Sequence, residues 1–500
     1  MQYFLISLRV LLFFNNTAVQ EGTAKVPLYH VYEVSFSGPS FKSIDNPVAE
    51  VDLITLWRYE SGSPVYEIYG YWDGDGKGGI SGNVFKVRFC PTKTGNWTLV
   101  RTTSNKIELN GQKEGLMIDC IPSSHKGFWE VDQESNGSRW FKRSDGSHSY
   151  IIGNTMYSFL SEYKDDKATG GNIATDVNLN AAYFKKLRFA ITGDIYPNPA
   201  EKPFLDNAGN PTDDGNFSHR PNPKWFHKRI DLAVKVAYDQ DLIADIILNG
   251  PDSKDARSVL LASENAGDNT PFLKYIAARY GSFPNVWICL SNEFDIRKPR
   301  YEPEEIKIFG YRLKSFLPYS TPLSVHPCQR DWYPELNVIR PWNTHTIFQY
   351  KLKSLCSAAD YLERNYWIGG GNKPVIDDEL AYEGIGDGWI EDDVIEAHLG
   401  AFLGGGYGST GQKSGNKKGQ YFSGKFNALE HTAVDNLLWL RQKIDENISF
   451  WKMEPALRKG PSIFSQGSHG FRAMEWRDNE YVLGTNKAWD SITARLPAGK

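Results

Sequence analysis

Cysteine is scarce in this chain: five occur in 500 residues, and none forms a CxxC pair. That excludes the common zinc ribbons and dithiol redox motifs, and an odd count argues against a full disulfide framework. Cys289 sits inside an apolar run and reads as a small buried hydrophobe. Cys90 and Cys120 can pair only if the N-terminal region folds in an oxidising compartment. A surplus of one charge sign is also missing. The formal net charge is −4 with both signs interspersed, so there is no basic footprint for nucleic acid.

Long apolar runs are lacking too, which excludes an integral membrane segment. The nearest approach is residues 3–14 within MQYFLISLRVLLFFNNTAVQEG, too short to span and interrupted by Arg9. It reads as an export signal without a basic start or a clean small-x-small cleavage site, and it predicts a secreted or periplasmic protein. The chain has no GxGxxG turn and no phosphate loop, and no His/Asp cluster demands a metal. The expectation is therefore an activity that needs neither cofactor nor metal.

What the chain has in quantity is aromatic side chains, at 14% with 15 Trp and 26 Tyr. Core packing accounts for most of them, but ring faces also suit the apolar C–H face of a sugar. Five hundred residues exceed one ordinary core, so two or three domains are expected. Residues 27–125 are short alternating runs such as VYEVSFSG and NVFKVRFCPTKTGNWTLV, broken by Gly, Asn, Asp and Pro. That spacing predicts an antiparallel β-sandwich. Within it, GYWDGDGKGG lacks the closing Glu of a calcium loop and reads as a hairpin turn. Residues 126–148 read as a linker.

From about residue 149 strands and helices alternate. In KWFHKRIDLAVKVAYDQ, Phe226, Ile230, Ala233, Val234 and Ala237 fall on one helical face, and the apolar run IADIILNG follows. Eight strands are expected near 150–158, 189–193, 243–249, 286–291, 322–326, 346–350, 374–379 and 406–410. Helices are expected at 303–316, 354–365, 390–403 and 429–444, the first with Pro303 where a missing N–H costs nothing. Eight units over 149–455 predict a (β/α)8 barrel, with an open doubly wound sheet as the alternative. Short alternating strands return over 456–500 and read as a partial C-terminal β domain.

A barrel of this kind presents its chemistry at the C-terminal ends of its strands. Those ends are polar throughout: Asn154 and Tyr157, Asp194 and Tyr196, Asn249 and Asp252, Asn292 and Glu293, His326, Gln349, Glu379 and Ser409. Two carboxylates stand out. Glu293 follows VWICLSN at the fourth strand, and Glu379 closes the seventh in KPVIDDELAYEG. Paired carboxylates across a cleft are what glycosidic cleavage requires, one protonating the leaving oxygen and one attacking the anomeric carbon or activating water. Each has a plainer reading, Glu293 as a helix-start carboxylate and Glu379 as one of an acidic cluster with Asp377, Asp378 and Glu383. Glu383 is the nearest competitor as nucleophile.

An apolar fourth strand ending in Asn-Glu, with a Glu at the seventh, resembles clan A of the glycoside hydrolases. The resemblance implies Glu293 as acid/base, Glu379 as nucleophile, and Asn292 as a partner of the sugar 2-hydroxyl. The wider layout resembles bacterial polysaccharide-degrading proteins in which a β-sandwich of unknown function precedes an apiosidase-like barrel. Its traces are VYEVSFSGPSF, NVFKVRFCPTKTGNWTLV, KPVIDDELAYEG and EYVLGTNKAWDSITARLPAGK. The sixth strand departs from the clan: TIFQYK offers Gln349 and Tyr350 where clan members often set a Tyr beside the nucleophile. His326 is expected to bind a hydroxyl or tune a carboxylate, and Trp332, Tyr333, Trp342 and Trp389 are candidate stacking platforms. Glu293 is expected to be held protonated by an ionised Glu379.

The functional expectation is a retaining glycoside hydrolase acting on a plant or algal polysaccharide or a derived oligosaccharide. Two alternatives stand beside it. One is a carbohydrate-binding protein on a degenerate barrel, which would tolerate loss of either carboxylate. The other is a metal-dependent barrel hydrolase or lyase.

Overall fold

The computed structural model describes residues 23–162, 171–192, 201–213, 220–250, 269–296, 301–328, 342–384, 389–413, 419–421, 425–456, 470–476 and 479–486. Its N-terminal part is strand-rich and mostly antiparallel, in two sheets, with Ala24–Pro27 pairing parallel to Met117–Ile121. One sheet orders Ala24–Pro27, Met117–Ile121, Gly95–Ser104, Leu53–Tyr59 and Val65–Tyr69; the other orders Tyr32–Phe41, Gly82–Phe89 and Tyr71–Trp72. Alternation along LITLWRY turns Leu53, Thr55 and Trp57 inward. Trp57 stacks on Phe89 at 4.3 Å, and Trp97 lies 5.2 Å from the same ring. The 70–79 hairpin is closed by Asp75, whose Oδ1 accepts from the N–H groups of Lys77 and Gly79 at 2.8 Å. Cys90 and Cys120, which could pair only in an oxidising compartment, are buried free thiols.

Residues 126–148 are more than a linker. They form an antiparallel hairpin, Trp129–Val131 with Phe141–Arg143, and Phe141 packs 4.6 Å from Trp287 and 5.6 Å from His345. Both partners sit at the N-terminal ends of barrel strands, so the hairpin plugs the floor of the barrel.

The eight parallel strands are Ile152–Thr155, Lys186–Ala190, Ile243–Ile247, Val286–Asn292, Leu323–His326, Thr346–Phe348, Val375–Glu383 and Tyr407–Gln412. They pair in sequence except for the fifth and sixth, which form the two edges of the sheet, and the eighth returns to the first with Ile152 opposite Gly408. That return pairing rules out an open doubly wound sheet. The fifth and sixth strands meet through Thr344, whose N–H donates to Leu323 O at 2.9 Å. Helices Ile173–Tyr183, Asp231–Asp239, Thr270–Tyr280, Pro303–Phe316, Leu355–Ile368, Glu391–Leu403 and Val434–Asn447 belong to this region. Pro303 opens its helix as expected, and the Glu302 N–H is capped by Glu305 Oε2 at 2.7 Å. Among the described residues no helix is long and apolar enough to cross a membrane.

At the C-terminal end Glu454–Pro455, Phe471–Trp476 and Glu480–Thr485 form an antiparallel sheet. It leans on the barrel through Arg472, which pairs with Asp360 at 2.6 Å.

Candidate active site

The fourth strand carries apolar side chains until Ser291 and Asn292, and the chain then turns sharply. Glu293 takes a left-handed φ of 45°, a conformation that costs a non-glycine residue about 1–3 kcal/mol and clusters at functional sites. The seventh strand does not end at Glu379, as expected, but runs on to Glu383. Its register against the eighth strand shifts between Asp377 and Ala381. Glu379 sits inside this irregularity, the kind of feature that re-aims a side chain. The three successive acids therefore take separate surroundings. Asp377 accepts from the N–H groups of Glu379 at 3.2 Å and Tyr350 at 3.3 Å. Asp378 meets Lys186 and Ser409. Glu379 meets the cleft residues.

The Tyr157 hydroxyl donates to Glu379 Oε1 and accepts from Arg188 Nη1 at 2.8 Å. Arg188 Nη2 donates to Asn292 Oδ1 and lies 2.9 Å from His326 Nδ1. His326 Nδ1 is in turn 2.5 Å from Asn292 Oδ1. Arg188 fixes the amide oxygen of Asn292, and the buried Nδ2 has no hydrogen-bond partner among the described residues. It is a buried donor waiting for an acceptor. Arg188 Nη1 and His326 Nδ1 stand 3.8 Å and 4.0 Å from Glu379 Oε1.

Burial pushes the Glu379 carboxyl up to about 7, and the nearby charge of Glu293 adds to the push; Arg188, the Tyr157 hydroxyl and Lys351 pull the other way. Glu379 is driven up because it is almost wholly buried beside the charge of Glu293. The consequence for stability follows from the sign. A carboxyl raised from 4.5 to about 7 favours the fold fully below pH 4.5, and that contribution is lost as pH climbs through 7. The shift corresponds to about 3 kcal/mol. Glu379→Gln should therefore melt higher than the unmodified chain at pH 8 and show little difference at pH 4.5, as read by thermal unfolding at both values.

Several expected ligand-facing residues do other work. Asn154 Nδ2 donates to Asn180 Oδ1 at 2.6 Å, tying the first strand to helix Ile173–Tyr183, while its Oδ1 is buried without a hydrogen-bond partner among the described residues. Asn249 Nδ2 donates to Ser291 Oγ at 3.1 Å, and its carbonyl accepts from Asn292 N at 3.0 Å, so it braces the fourth strand. Glu383 accepts from Thr432 N, Thr432 Oγ1 and Ala433 N at 2.8, 2.6 and 3.0 Å. That commits it to the start of the last barrel helix and corrects its reading as a loop competitor. Tyr350 stacks on Tyr361 at 4.4 Å, so the sixth strand does not place it beside Glu379; Tyr157, from the end of the first strand, takes that place. Gln349 is buried with Oε1 unpartnered among the described residues. Trp342 is buried against helix Pro303–Phe316, where a Cβ on Gly310 would meet its ring. Trp389 is also buried, with Lys353 Nζ 5.4 Å above its ring. Both tryptophans pack the barrel rim instead of offering open faces. Asp194, Tyr196, Asp252, Trp332 and Tyr333 lie outside the described residues.

Residues that sequence reasoning passed over complete the site. Arg188 and Lys186 come from KLRFA, where period-two alternation puts both on one face. Tyr382 lies 3.4 Å from the Tyr157 hydroxyl, and its ring is 5.0 Å from Tyr421, so the three tyrosines wall one side of Glu379. No group of three or more His, Cys, Asp or Glu that could hold a metal ion occurs among the described residues.

The apiosidase-like catalytic-domain model matches residues 135–411, more than half of the chain. The chain belongs to the apiosidase-like family. It is accordingly a glycosidase. The sandwich matches a domain of unknown function over residues 25–105. Among solved structures, this apiosidase-like enzyme is similar to a candidate glycoside hydrolase from Bacteroides vulgatus ATCC 8482. The TM-score is 0.69 at 22% identity, over 91% of this chain and 84% of that one. A glycoside hydrolase family 5 protein from the same strain aligns at TM-score 0.50 and 17% identity, over 70% of this chain and 79% of that one. At these identities the likeness is one of fold. No curated protein matches the chain.

The Tyr157 contact yields a direct test. Tyr157→Phe removes a hydrogen bond to a carboxylate, a contact of about 1.5–3 kcal/mol, so kcat/KM should fall about 10- to 100-fold. Losing that donor also raises the proton affinity of Glu379, so the acid limb of the pH–rate profile should move to higher pH. An unchanged profile would remove Tyr157 from the machinery.

Proposed function

We propose that this apiosidase-like enzyme is a retaining glycoside hydrolase in which Glu379 is the nucleophile and Glu293 the acid/base. The substrate is a plant or algal polysaccharide or an oligosaccharide derived from one. The observation that carries this reading is the enclosure of Glu379 between a tyrosine hydroxyl and an arginine, with Glu293 near enough for its charge to act on it. In the first half-reaction Glu379 attacks the anomeric carbon while Glu293 protonates the departing oxygen; in the second, Glu293 takes a proton from water, which displaces the sugar from Glu379. The unpartnered Asn292 Nδ2 is the donor proposed for the sugar 2-hydroxyl, a contact that strengthens as positive charge develops at the ring. Arg188 and Tyr157 hold the nucleophile's oxygen in place between the two steps.

The family name makes apiose-containing glycans the first substrates to try. Hydrolysis of a panel of plant and algal polysaccharides and aryl glycosides, apiosides included, tests the reading. Activity with the product first released in the retained configuration supports it, and first release of the inverted anomer would replace the nucleophile with a base. An exported location is part of the proposal, resting on residues 3–14, which lie outside the described structure. N-terminal sequencing of protein recovered from the native host would show whether that segment is removed.

A further inference from the structure

The lumen of a (β/α)8 barrel is ordinarily filled by layers of branched apolar side chains. Here the layer beneath the cleft is ionic. Lys186, fully buried, donates to Asp378 Oδ1 and, at 3.1 Å, to Asp245 Oδ2. Ser409 Oγ donates to the same Asp378 oxygen at 2.7 Å. The other Asp378 oxygen, Oδ2, faces Arg188 Nε at 3.8 Å. Neither of those two buried atoms has a hydrogen-bond partner among the described residues. The Arg188 guanidinium thus stands between two carboxylates, its Nε edge toward Asp378 and its Nη1 toward Glu379. Asp378 immediately precedes Glu379 in the chain.

A buried ion pair adds little net stability compared with apolar residues of similar volume, so packing alone gives no reason for this layer. We propose that Lys186 and Asp378 are positioning residues for the glycosidase reaction, with the Lys186–Asp378 pair fixing where Arg188 sits and how much of its charge reaches Glu379. The proposal rests on the reading of Glu379 as nucleophile. Asp378 draws on Arg188 from below, and Lys186 offsets Asp378. Removing the Asp378 charge leaves Arg188 pulling harder on Glu379, which favours its ionised form. Removing the Lys186 charge does the reverse. The other groups facing Glu379 are Glu293 from the fourth strand, Tyr157 from the first, His326 from the fifth and Lys351 beyond the sixth. On its own strand it has Asp377 and Tyr382 beside it. All of these are the same in every variant below.

The test is the acid limb of kcat/KM against pH for Asp378→Asn, Lys186→Met and the double variant. The expected result is a shift of about 0.5 pH unit to lower pH for Asp378→Asn and a similar shift upward for Lys186→Met. The double variant, which removes no net charge, should return the limb to its original place. A residue that merely fills the lumen would not give shifts of opposite sign. If both single variants leave the limb in place, or move it the same way, the inference is wrong. Should either single variant fail to fold, the double variant decides: a fall in kcat of tenfold or more with KM unchanged supports positioning through Arg188, and unchanged kcat overturns it. Glu379→Gln in the same assay keeps the two readings apart. If it remains active the nucleophile assignment fails, whereas an inactive Glu379→Gln beside unmoved limbs refutes only the role of the ionic layer.

Discussion

Glu379→Gln is expected to lower kcat/KM by at least about 10³-fold on every substrate the enzyme hydrolyses, and Glu293→Gln to lower it by an amount set by the leaving group, from almost nothing on an activated aryl glycoside to about 10⁴-fold on a basic one. The asymmetry follows from the proposed division of labour, with Glu379 as nucleophile and Glu293 as acid/base. A nucleophile is required whatever departs, so Glu379→Gln should be indifferent to the aglycone. An acid is required only where the departing oxygen is too basic to leave unaided, so Glu293→Gln should be nearly as active as the unmodified enzyme on a dinitrophenyl glycoside in the first half-reaction. Such a variant should accumulate the glycosyl-enzyme and show a burst. Azide added to Glu293→Gln should give the retained glycosyl azide. Azide added to a Glu379→Gly variant should give the inverted one, because the small anion then attacks from the face that Glu379 has vacated. The kinetics and the two product anomers are independent of each other. If Glu379→Gln keeps its activity, or if both azide products share one configuration, the roles assigned to the two residues are wrong. The raised Glu379 carboxyl has a further consequence here: the acid limb of kcat/KM should lie near neutrality and vanish from the first half-reaction when Glu379 is replaced.

The eight strand ends were legible because burial on both faces writes a strand as an apolar run, and because chemistry interrupts that run only where the strand reaches the cleft. Helix Pro303–Phe316 was legible at both ends for a local reason, a proline that can start a helix and an acidic first turn. The same logic hid Lys186 and Arg188. A charged residue alternating with Leu187 and Phe189 reads as an outward face, and nothing in KLRFA says that the inward layer of this barrel is the ionic one. The bracing bonds of Asn154 and Asn249 were hidden for a related reason. An amide at a strand end can turn to a neighbouring helix or strand as readily as to a ligand, and only the positions of Asn180 and Ser291 decide. The extension of the seventh strand through Glu379 to Glu383 depends on a shift in register against its partner, a property of two strands together that one sequence segment does not carry. The 126–148 hairpin was misread as a linker because its polar stretch conceals three residues, Trp129, Trp140 and Phe141, that are almost wholly buried under the barrel.

Asp231→Ala should destabilise the protein by about 3–5 kcal/mol, the cost of leaving buried charge uncompensated. Asp231 begins helix Asp231–Asp239 and lies at the seam between barrel and sandwich, almost entirely buried. It accepts from Arg88 of the sandwich, Nη1 at 3.2 Å and Nη2 at 2.6 Å. It also accepts from Arg279 of helix Thr270–Tyr280, Nε at 3.1 Å and Nη2 at 2.8 Å. One carboxylate thus holds two guanidinium forks, which repel each other whenever it is gone. Asp73 takes up part of the Arg279 charge at 2.8 Å but is itself shared with Lys86. The two arginines hold the Asp231 carboxyl far below the usual carboxylate range. Its contribution is therefore present above its unfolded pKa of about 3.9 and is lost only as pH falls through the much lower folded value. The seam should accordingly survive mild acid that protonates surface carboxylates. In calorimetry the unmodified protein should melt with sandwich and barrel coupled, while Asp231→Ala should release the sandwich in an earlier transition of its own. Asp231→Asn keeps acceptor oxygen without charge and should fall between them. A loss below about 1 kcal/mol, with no separate transition, would instead place the coupling in the aromatic contacts of Tyr319, which stacks on Phe128 at 4.8 Å and accepts from Cys90 N at 2.9 Å.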